Sequence, residues 1–420
     1  MQHYDCLIVG AGHGGTQAAW SLRQQKFEGS IGLLSDETEL PYERPPLSKD
    51  YLAGTKSFER ILFRPEDFWA SRNIALQRGR RVIKVDSERR FVCCEDGSTF
   101  GYGHLIWAAG GGARRLTCPG SDLGGIYAVR TRTDVDAIVQ DLDDARAIVI
   151  VGGGYIGLET AAVLSKQGKT ITVLEALDRV LARVAGPDLS RFYEAEHRAQ
   201  GVDIQLNASV QCFEGANGRV RRVRLGDGRD LAADIVIVGI GIIPAVSPLI
   251  EAGAIGANGV DVDAFCRTNL PRVFVIGDCA NHANDFADGA RIRLESVQNA
   301  TDQAAVVAKY LTGQLEPYQA VPWFWSNQYD LRLQTVGLSI GHDRIIVRGS
   351  PATRKFSLIY LRNGTVRALD CVNSVKDYVE GRALVIARAS PPAEELADAG
   401  VPLKALASHF PYSQDKQPTG

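Results

Sequence analysis

Apolar positions in this chain fall into short runs that end on glycine. Cys6-Leu7-Ile8-Val9 runs into Gly10, and Ile148-Val149-Ile150-Val151 runs into Gly152. Continuous runs of this length, rich in β-branched residues and closed by a turn residue, read as strands buried on both faces. Each is followed by an alanine-rich segment with helical spacing and then by a second apolar strand. That second strand ends beside an acid, Asp36 in the first case and Glu175 in the second. The two segments, Cys6 to Asp36 and Ala147 to Glu175, form a distant pseudo-repeat, not a tandem array of solenoid period.

A hairpin signal follows each unit. Asp96-Gly97 and Asp227-Gly228 mark tight turns between alternating runs. Each hairpin leads to an apolar strand that stops at glycine, Leu105 to Gly110 and Ile235 to Gly239, and a third such strand, Val273 to Ile276, stops at Gly277-Asp278. Helical periodicity returns from Ala300 to Leu311. Beyond Pro322 the pattern changes to alternation at Leu333 to Val336, Ile345 to Val347, Phe356 to Leu361 and Val366 to Leu369. That predicts a small sheet, followed by a helical piece from Val375 to Ala387. The polar, Pro/Gly-containing end from Ser408 to Gly420 predicts a frayed tail. The expected fold is α/β, with two Rossmann-like dinucleotide-binding domains and a C-terminal α+β domain built on an antiparallel sheet. The expected boundaries are 1–112 with 245–320 for the first domain, 113–244 for the second, 321–406 for the third and 407–420 for the tail.

Composition narrows the function. A chain of 420 residues accommodates two to four domains of ~100–200 residues. A formal net charge of −2 gives no global attraction to nucleic acid. No segment approaches the ~20 apolar residues of a membrane-spanning helix. The longest strongly apolar run, Ile235 to Ile243, contains Gly239 and Gly241 and is stopped by Pro244. The N-terminus enters a buried strand directly, without the basic and apolar regions of a secretion signal, so the cytoplasm is the expected location. The eight cysteines show neither Cys-x-x-Cys nor zinc spacing, so they read as structural and no metal site is expected.

The glycine-rich turns carry chemistry. In Gly10-Ala11-Gly12-His13-Gly14-Gly15 the first glycine permits the sharp turn and the second lets backbone approach a pyrophosphate. The last lets the helix pack against the strand. The helix start then presents unpaired N–H groups and a positive dipole end to the phosphates. Asp36 is placed to accept a hydrogen bond from a ribose hydroxyl. Gly152-Gly153-Gly154-Tyr155-Ile156-Gly157 repeats the design, with Glu175 in the acidic position. A carboxylate there suits two free ribose hydroxyls and repels a 2′-phosphate, favouring NADH over NADPH. Arg179 and Arg183 are the residues that would hold such a phosphate instead. Two sites imply two dinucleotides, and in this arrangement the N-terminal one usually holds FAD and the inserted one NAD(P)H. Asp278, after the third apolar strand, suits a grip on the flavin's ribityl or pyrophosphate region.

Four motifs in order add a resemblance: Pro41-Tyr42-Glu43-Arg44-Pro45-Pro46-Leu47-Ser48-Lys49, Gly152 through Glu159, Gly277-Asp278-Cys279-Ala280, and Pro322-Trp323-Phe324-Trp325-Ser326-Asn327-Gln328. From Cys6 to about Leu406 the chain resembles the FAD-dependent NADH:ferredoxin reductases of bacterial oxygenase systems, which have a glutathione-reductase-type fold. The resemblance implies a catalytic pair, Lys49 near the flavin N5 and Glu159 helping to place the nicotinamide. A cation at Lys49 would favour anionic reduced flavin by Coulomb attraction. It implies FAD contacts at Gly10, Gly12, Gly14, Gly15, Asp36, Arg44, Lys49 and Val82, and further along the chain at Ala109, Gly110, Arg132, Gly277, Asp278, Ser296, Val297 and Trp325. For NAD it implies Gly152, Gly154, Tyr155, Ile156, Gly157, Glu159, Glu175 and Gly241. The implied partner is a small acidic 2Fe–2S ferredoxin docking near Trp325 and feeding a cytochrome-type monooxygenase or a Rieske dioxygenase. Arg332, Arg354, Lys355 and Lys404 are candidates for steering it. A monomer or weak homodimer is implied as well. Two positions depart from the family: Ala108-Ala109-Gly110 stands where Ala-Thr-Gly is usual, and Ala305 stands where a member's docking patch is basic.

Two other readings are weaker. An NADH-dependent disulfide reductase or peroxidase needs a redox-active cysteine beside the flavin. The loop from Tyr42 to Asp50 has none, and Cys93-Cys94 sit in a predicted hairpin. A signalling flavoprotein of the apoptosis-inducing-factor type should carry basic blocks. Only pairs occur here, Arg80-Arg81, Arg89-Arg90, Arg114-Arg115 and Arg221-Arg222. Without a thiol relay, electrons leave the flavin directly.

Overall fold

The computed structural model describes residues 1–409, with side chains to Ala407. The chain divides into two compact units: Met1–Pro46 with Gly54–Gly112 and Ile242–Ala320, and Leu47–Ala53 with Ala113–Gly241 and the chain from Val321 onwards.

In the first unit the strand order is Ile74–Gln77, Ile31–Leu34, Gln2–Val9, Thr99–Trp107, Phe91–Cys94, Val82–Asp86, with Val273–Val275 also paired to Thr99–Trp107. The first four of these and Val273–Val275 run parallel, in registers such as Cys6 to Ile31 and Val9 to Trp107. Phe91–Cys94 pairs antiparallel on both sides and turns at Gly97, whose φ of +83° suits the Asp-Gly signal. Cys6, Leu7 and Ile8 are fully buried, as expected of a sheet covered on both faces. The helix His13–Gln24 packs on Val297–Leu311. The latter starts three residues before the apolar periodicity. Ser296 caps it, its Oγ accepting the Asn299 N–H at 3.0 Å, so a cap and not a hydrophobic stripe sets that boundary.

The second unit holds a five-stranded parallel sheet ordered Asp203–Gln205, Thr170–Leu174, Ala147–Val151, Ile235–Val238, Ile126–Tyr127. A three-stranded antiparallel sheet, Val210–Ala216, Arg219–Leu225 and Asp230–Ala232, contains the second Asp-Gly hairpin. The C-terminal sheet is antiparallel throughout, in the order Trp323–Gln328, Leu331–Gly337, Thr365–Val372, Lys355–Arg362, Arg344–Ser350. The helix Val375–Ile386 covers it. The short helices Ala393–Ala397 and Leu403–His409 follow. The second takes up the first residues of the expected tail, and the remainder of that tail lies outside the described residues.

The aromatic cluster after Pro322 is an edge strand. Ser326 and Gln328 are buried on one side of it, where the helix Tyr155–Lys166 packs and the Phe324 ring meets Tyr155 at 4.7 Å. Trp323 and Trp325 share the other side, their rings 5.5 Å apart. No helix among the described residues is long and apolar enough to cross a membrane.

Candidate functional site

The two glycine-rich turns have the same internal geometry. Gly10 has φ +102°, and a Cβ on it would lie 2.3 Å from the Ala108 carbonyl oxygen. A Cβ on Gly15 would lie 1.7 Å from the Gly10 oxygen. In the second turn Gly152 has φ +111° and is 2.4 Å by the same measure from the Gly239 oxygen, and Gly157 is 2.1 Å from the Gly152 oxygen. The protein's own packing therefore demands glycine at the outer positions. Gly12 and Gly154 differ, because a Cβ there meets nothing within 4 Å. The bare backbone at each middle position faces open space at a helix start, which is the form of a phosphate cradle.

In the first unit other expected residues gather around this turn. Gly14 faces Ile276 and Ala300, and Gly277 also abuts Ala300. The Gly277 N–H donates to Gln303 Oε1 at 2.7 Å, and the Cys279 thiol donates to the Gly110 carbonyl at 3.0 Å. Ala109-Gly110, Gly277-Asp278 and Ser296-Val297 thus collect at the carboxyl ends of parallel strands, where open α/β sheets bind ligands. Val82 shares a core cluster with Val9 and Leu34, the last residues of their strands. Asp36 is exposed just beyond Leu34. Arg44 is ion-paired with Glu37 and donates to Tyr42 Oη at 3.1 Å.

At the second turn, Glu175 accepts the Gly153 N–H at 2.8 Å and the Leu177 N–H at 2.9 Å. Each oxygen keeps a lone pair for a further donor, so the carboxylate is held beside the cradle. Arg179 does not reach out to a phosphate. It donates to the Ala185 and Ala182 carbonyls and to Ser190 Oγ, at 2.8, 3.0 and 2.8 Å, which corrects the sequence expectation for that residue. Arg183 is exposed and lies beside Gly241, whose φ is +98°. Ile156 is 43% exposed at the helix start.

Lys49 and Glu159 meet within the second unit. Lys49 Nζ donates to Glu159 Oε2 at 2.6 Å, Ser48 Oγ donates to the same oxygen at 2.7 Å, and Ser326 Oγ donates to Oε1 at 2.6 Å. The Glu159 side chain is 2% exposed, and a charge so buried persists only when compensated. Here an ammonium and two hydroxyls supply the compensation. Neither serine was expected. Period two along Trp323–Gln328 would have placed Ser326 opposite Trp325. Trp325 itself packs on Trp323 and, at 6.3 Å, on the Phe324 ring. Arg132 opens the helix Arg132–Leu142 and pairs with Asp136 at 3.0 Å. Of the steering candidates, Arg332, Lys355 and Lys404 are exposed, but Arg354 is spoken for by Asp330 and by Glu196 at 3.1 Å.

The pyridine nucleotide-disulphide oxidoreductase profile matches residues 4–304, and the reductase C-terminal profile matches residues 323–407. The ferredoxin reductase subunit of 5,5′-dehydrodivanillate O-demethylase from Sphingobium sp. strain SYK-6 is 60% identical over 97% of this chain and 99% of its own. Putidaredoxin reductase of Pseudomonas putida is 39% identical over 95% and 96%. This chain belongs to the ferredoxin reductases of the pyridine nucleotide-disulphide oxidoreductase family.

Solved ferredoxin reductases superpose closely. The ferredoxin reductase for the CYP199A2 system of Rhodopseudomonas palustris gives a TM-score of 0.93 at 39% identity, covering 96% of this chain and all of that one. The covalent putidaredoxin reductase–putidaredoxin complex also gives 0.93, at 38% identity over 97% and 99%. The cofactors are those of the family, FAD and NAD(P)H. The two open cradles fit two such pyrophosphates. None of the eight cysteines forms a disulfide, and burial pushes the Cys6 thiol up to about 12 and those of Cys266 and Cys371 higher still, which suits packing and not thiolate chemistry at those three. Among the described residues no group of His, Cys, Asp and Glu is arranged to hold a metal.

Proposed function

We propose that this ferredoxin reductase takes a hydride from NADH onto FAD and passes single electrons to a 2Fe–2S ferredoxin serving a cytochrome-type monooxygenase or a Rieske dioxygenase. The observation that carries the reading is the pair of matching glycine cradles, each open only at its middle glycine. Bound FAD supplies the chemistry that joins a two-electron donor to a one-electron acceptor. In this reading residues 1–112 and 245–320 hold FAD, 113–244 hold NADH, and 321–406 carry the partner-facing side.

FAD is assigned to Gly10, Gly12, Gly14 and Gly15 with Asp36, Arg44 and Val82, to the cluster Ala109, Gly110, Gly277, Asp278, Ser296 and Val297, and to Lys49, Arg132 and Trp325. NADH is assigned to Gly152, Gly154, Tyr155, Ile156, Gly157 and Gly241, with Glu175 on the ribose and Glu159 beside the nicotinamide. Glu159 fixes the Lys49 ammonium, and Lys49 holds positive charge where the flavin N5 is expected. Glu175 supports NADH over NADPH, because an anchored carboxylate repels a 2′-phosphate. The relatives' names supply the ferredoxin, and Arg332, Lys355 and Lys404 supply the positive charge to steer it. A cytoplasmic site of action belongs to the same reading, since NADH is supplied there.

The test is NADH-driven cytochrome c reduction by the purified FAD-loaded protein, with and without a 2Fe–2S ferredoxin. A rate that depends on ferredoxin is expected. Equal rates in both, or turnover only with a disulfide or peroxide, would remove this function.

A further inference from the structure

Glu159 is the end of a longer chain of hydrogen bonds inside the second unit. Gln328 Nε2 lies 3.2 Å from Ser326 Oγ, His197 Nε2 lies 2.8 Å from Gln328 Oε1, and Tyr329 Oη lies 2.9 Å from His197 Nδ1. Ser326, Gln328 and His197 are at most 1% exposed, while Tyr329 is half-buried. The chain ties the helix Tyr155–Lys166 and the helix Pro187–Ala199 to the edge strand Trp323–Gln328.

The polarity of the chain follows from one fixed charge. A carboxylate only accepts, so at 2.6 Å Ser326 must donate its hydroxyl proton to Glu159. The free lone pairs of Ser326 then require a donor, which sets the Gln328 amide with its nitrogen toward Ser326 and its oxygen toward His197. An amide oxygen accepts, so His197 carries its proton on Nε2, and the bare Nδ1 accepts from Tyr329. Turning the amide over would set two acceptors against each other at the Ser326 end, whose one proton is already given to Glu159. Burial pushes the His197 imidazole down to about 4, so the neutral ring this order requires persists well into acid. An amide link does not pass protons readily, so the arrangement orients and does not conduct.

We propose that Ser326, Gln328 and His197 are positioning residues for hydride transfer, a one-way hydrogen-bond chain that fixes Glu159 and through it the Lys49 ammonium. This rests on the function proposed above. Lys49 and Ser48 from the 47–53 loop and Ser326 from the strand bond Glu159, and its charge also acts on Tyr155 from its own helix and Tyr193 from the neighbouring helix, as does that of Asp370.

Two measurements test it on the FAD-loaded protein. The first is the ¹⁵N NMR signature of the His197 imidazole. The wild type should show the neutral Nε2–H tautomer at neutral pH, and Gln328→Met should lose that preference. The second is flavin reduction by NADH in single turnover, which separates the limiting rate from the Kd for NADH. Ser326→Ala and Gln328→Met should lower the limiting rate about tenfold with little change in Kd, because Glu159 and the Lys49 ammonium lose their fixed orientation. Ser326→Thr should restore it. An Nδ1–H or protonated His197 in the wild type, or limiting rates that match the wild type in both variants, would overturn the proposal. A wild type with the expected tautomer that NADH does not reduce would refute the functional reading, and the hydride-transfer role with it.

Discussion

Lys49 and Glu159 stand 110 residues apart in the chain and meet at 2.6 Å, yet they are not equally buried. The lysine side chain is 15% exposed and the glutamate 2%. The bond is therefore lopsided: water reaches the cation and not the anion.

That asymmetry orders two substitutions. Lys49→Met strands a carboxylate that water cannot reach, whereas Glu159→Gln leaves an ammonium with some access to solvent. Breaking a buried pair costs about 3–5 kcal/mol, and Lys49→Met should fall in that range with Glu159→Gln below it. Urea denaturation of the two variants checks the order, and the reverse order would discredit the burial argument. Both should slow flavin reduction by NADH.

Glycines within one turn should separate folding from binding. Gly15→Ala and Gly157→Ala drive a methyl into backbone oxygens and should leave little folded protein. Gly12→Ala and Gly154→Ala meet no protein atom, so melting should change by less than about 1 kcal/mol. Gly12→Ala should then lose FAD during purification, and Gly154→Ala should keep FAD while its KM for NADH rises. Retention of both cofactors by the middle-glycine variants would show that the open faces are not cradles.

Coenzyme choice rests on one carboxylate and one arginine. Glu175→Gln removes the charge that repels a 2′-phosphate, and the exposed Arg183 remains beside Gly241. The ratio of kcat/KM for NADPH to that for NADH should rise about tenfold, equivalent to ~1.4 kcal/mol. Adding Arg183→Ala should cancel the gain. An unchanged ratio would place the choice elsewhere.

Acid should unfold the protein in a defined window. Burial pushes His197 and His282 down from 6.5 to about 4, so the unfolded chain binds protons that the folded chain does not. Each contributes up to about 3 kcal/mol of stability, present above 6.5 and lost as pH falls toward 4. Asp370 acts in the opposite sense. Burial raises it from 3.8 to about 6, so its penalty is full above 6 and relieved toward 3.8. Asp370→Asn should therefore stabilise at neutral pH by about 1–2 kcal/mol and lose that advantage in acid. Melting temperatures of wild type and variant across this range test both signs.

Much of this was legible along the chain because it is local. Strand, turn and helix of each glycine-rich unit are contiguous, and the Asp-Gly hairpins and alternating C-terminal strands declare themselves by period. Strands of three residues, such as Gly111–Ala113 and Ile242–Pro244, are too short to show a period. The surroundings of Glu159 were not legible either, since Ser48 lies 111 residues away and Ser326 167. Arg179 and Arg354 read as available charges, but one is used by carbonyls of its own loop and the other by Asp330 and Glu196. Nothing local records where a guanidinium finds its partners.

The strand Trp323–Gln328 has a consequence for how such a protein can change. Its alternate residues are written for two readers: Ser326 and Gln328 for the interior, Trp323, Trp325 and Asn327 for the opposite side. Gaining or losing one residue in this stretch would exchange the two messages, pushing an indole toward Glu159 and a glutamine toward the aromatic side. Variation here is confined to spelling and excludes length. The outer letters can be rewritten while the inner ones stay as they are.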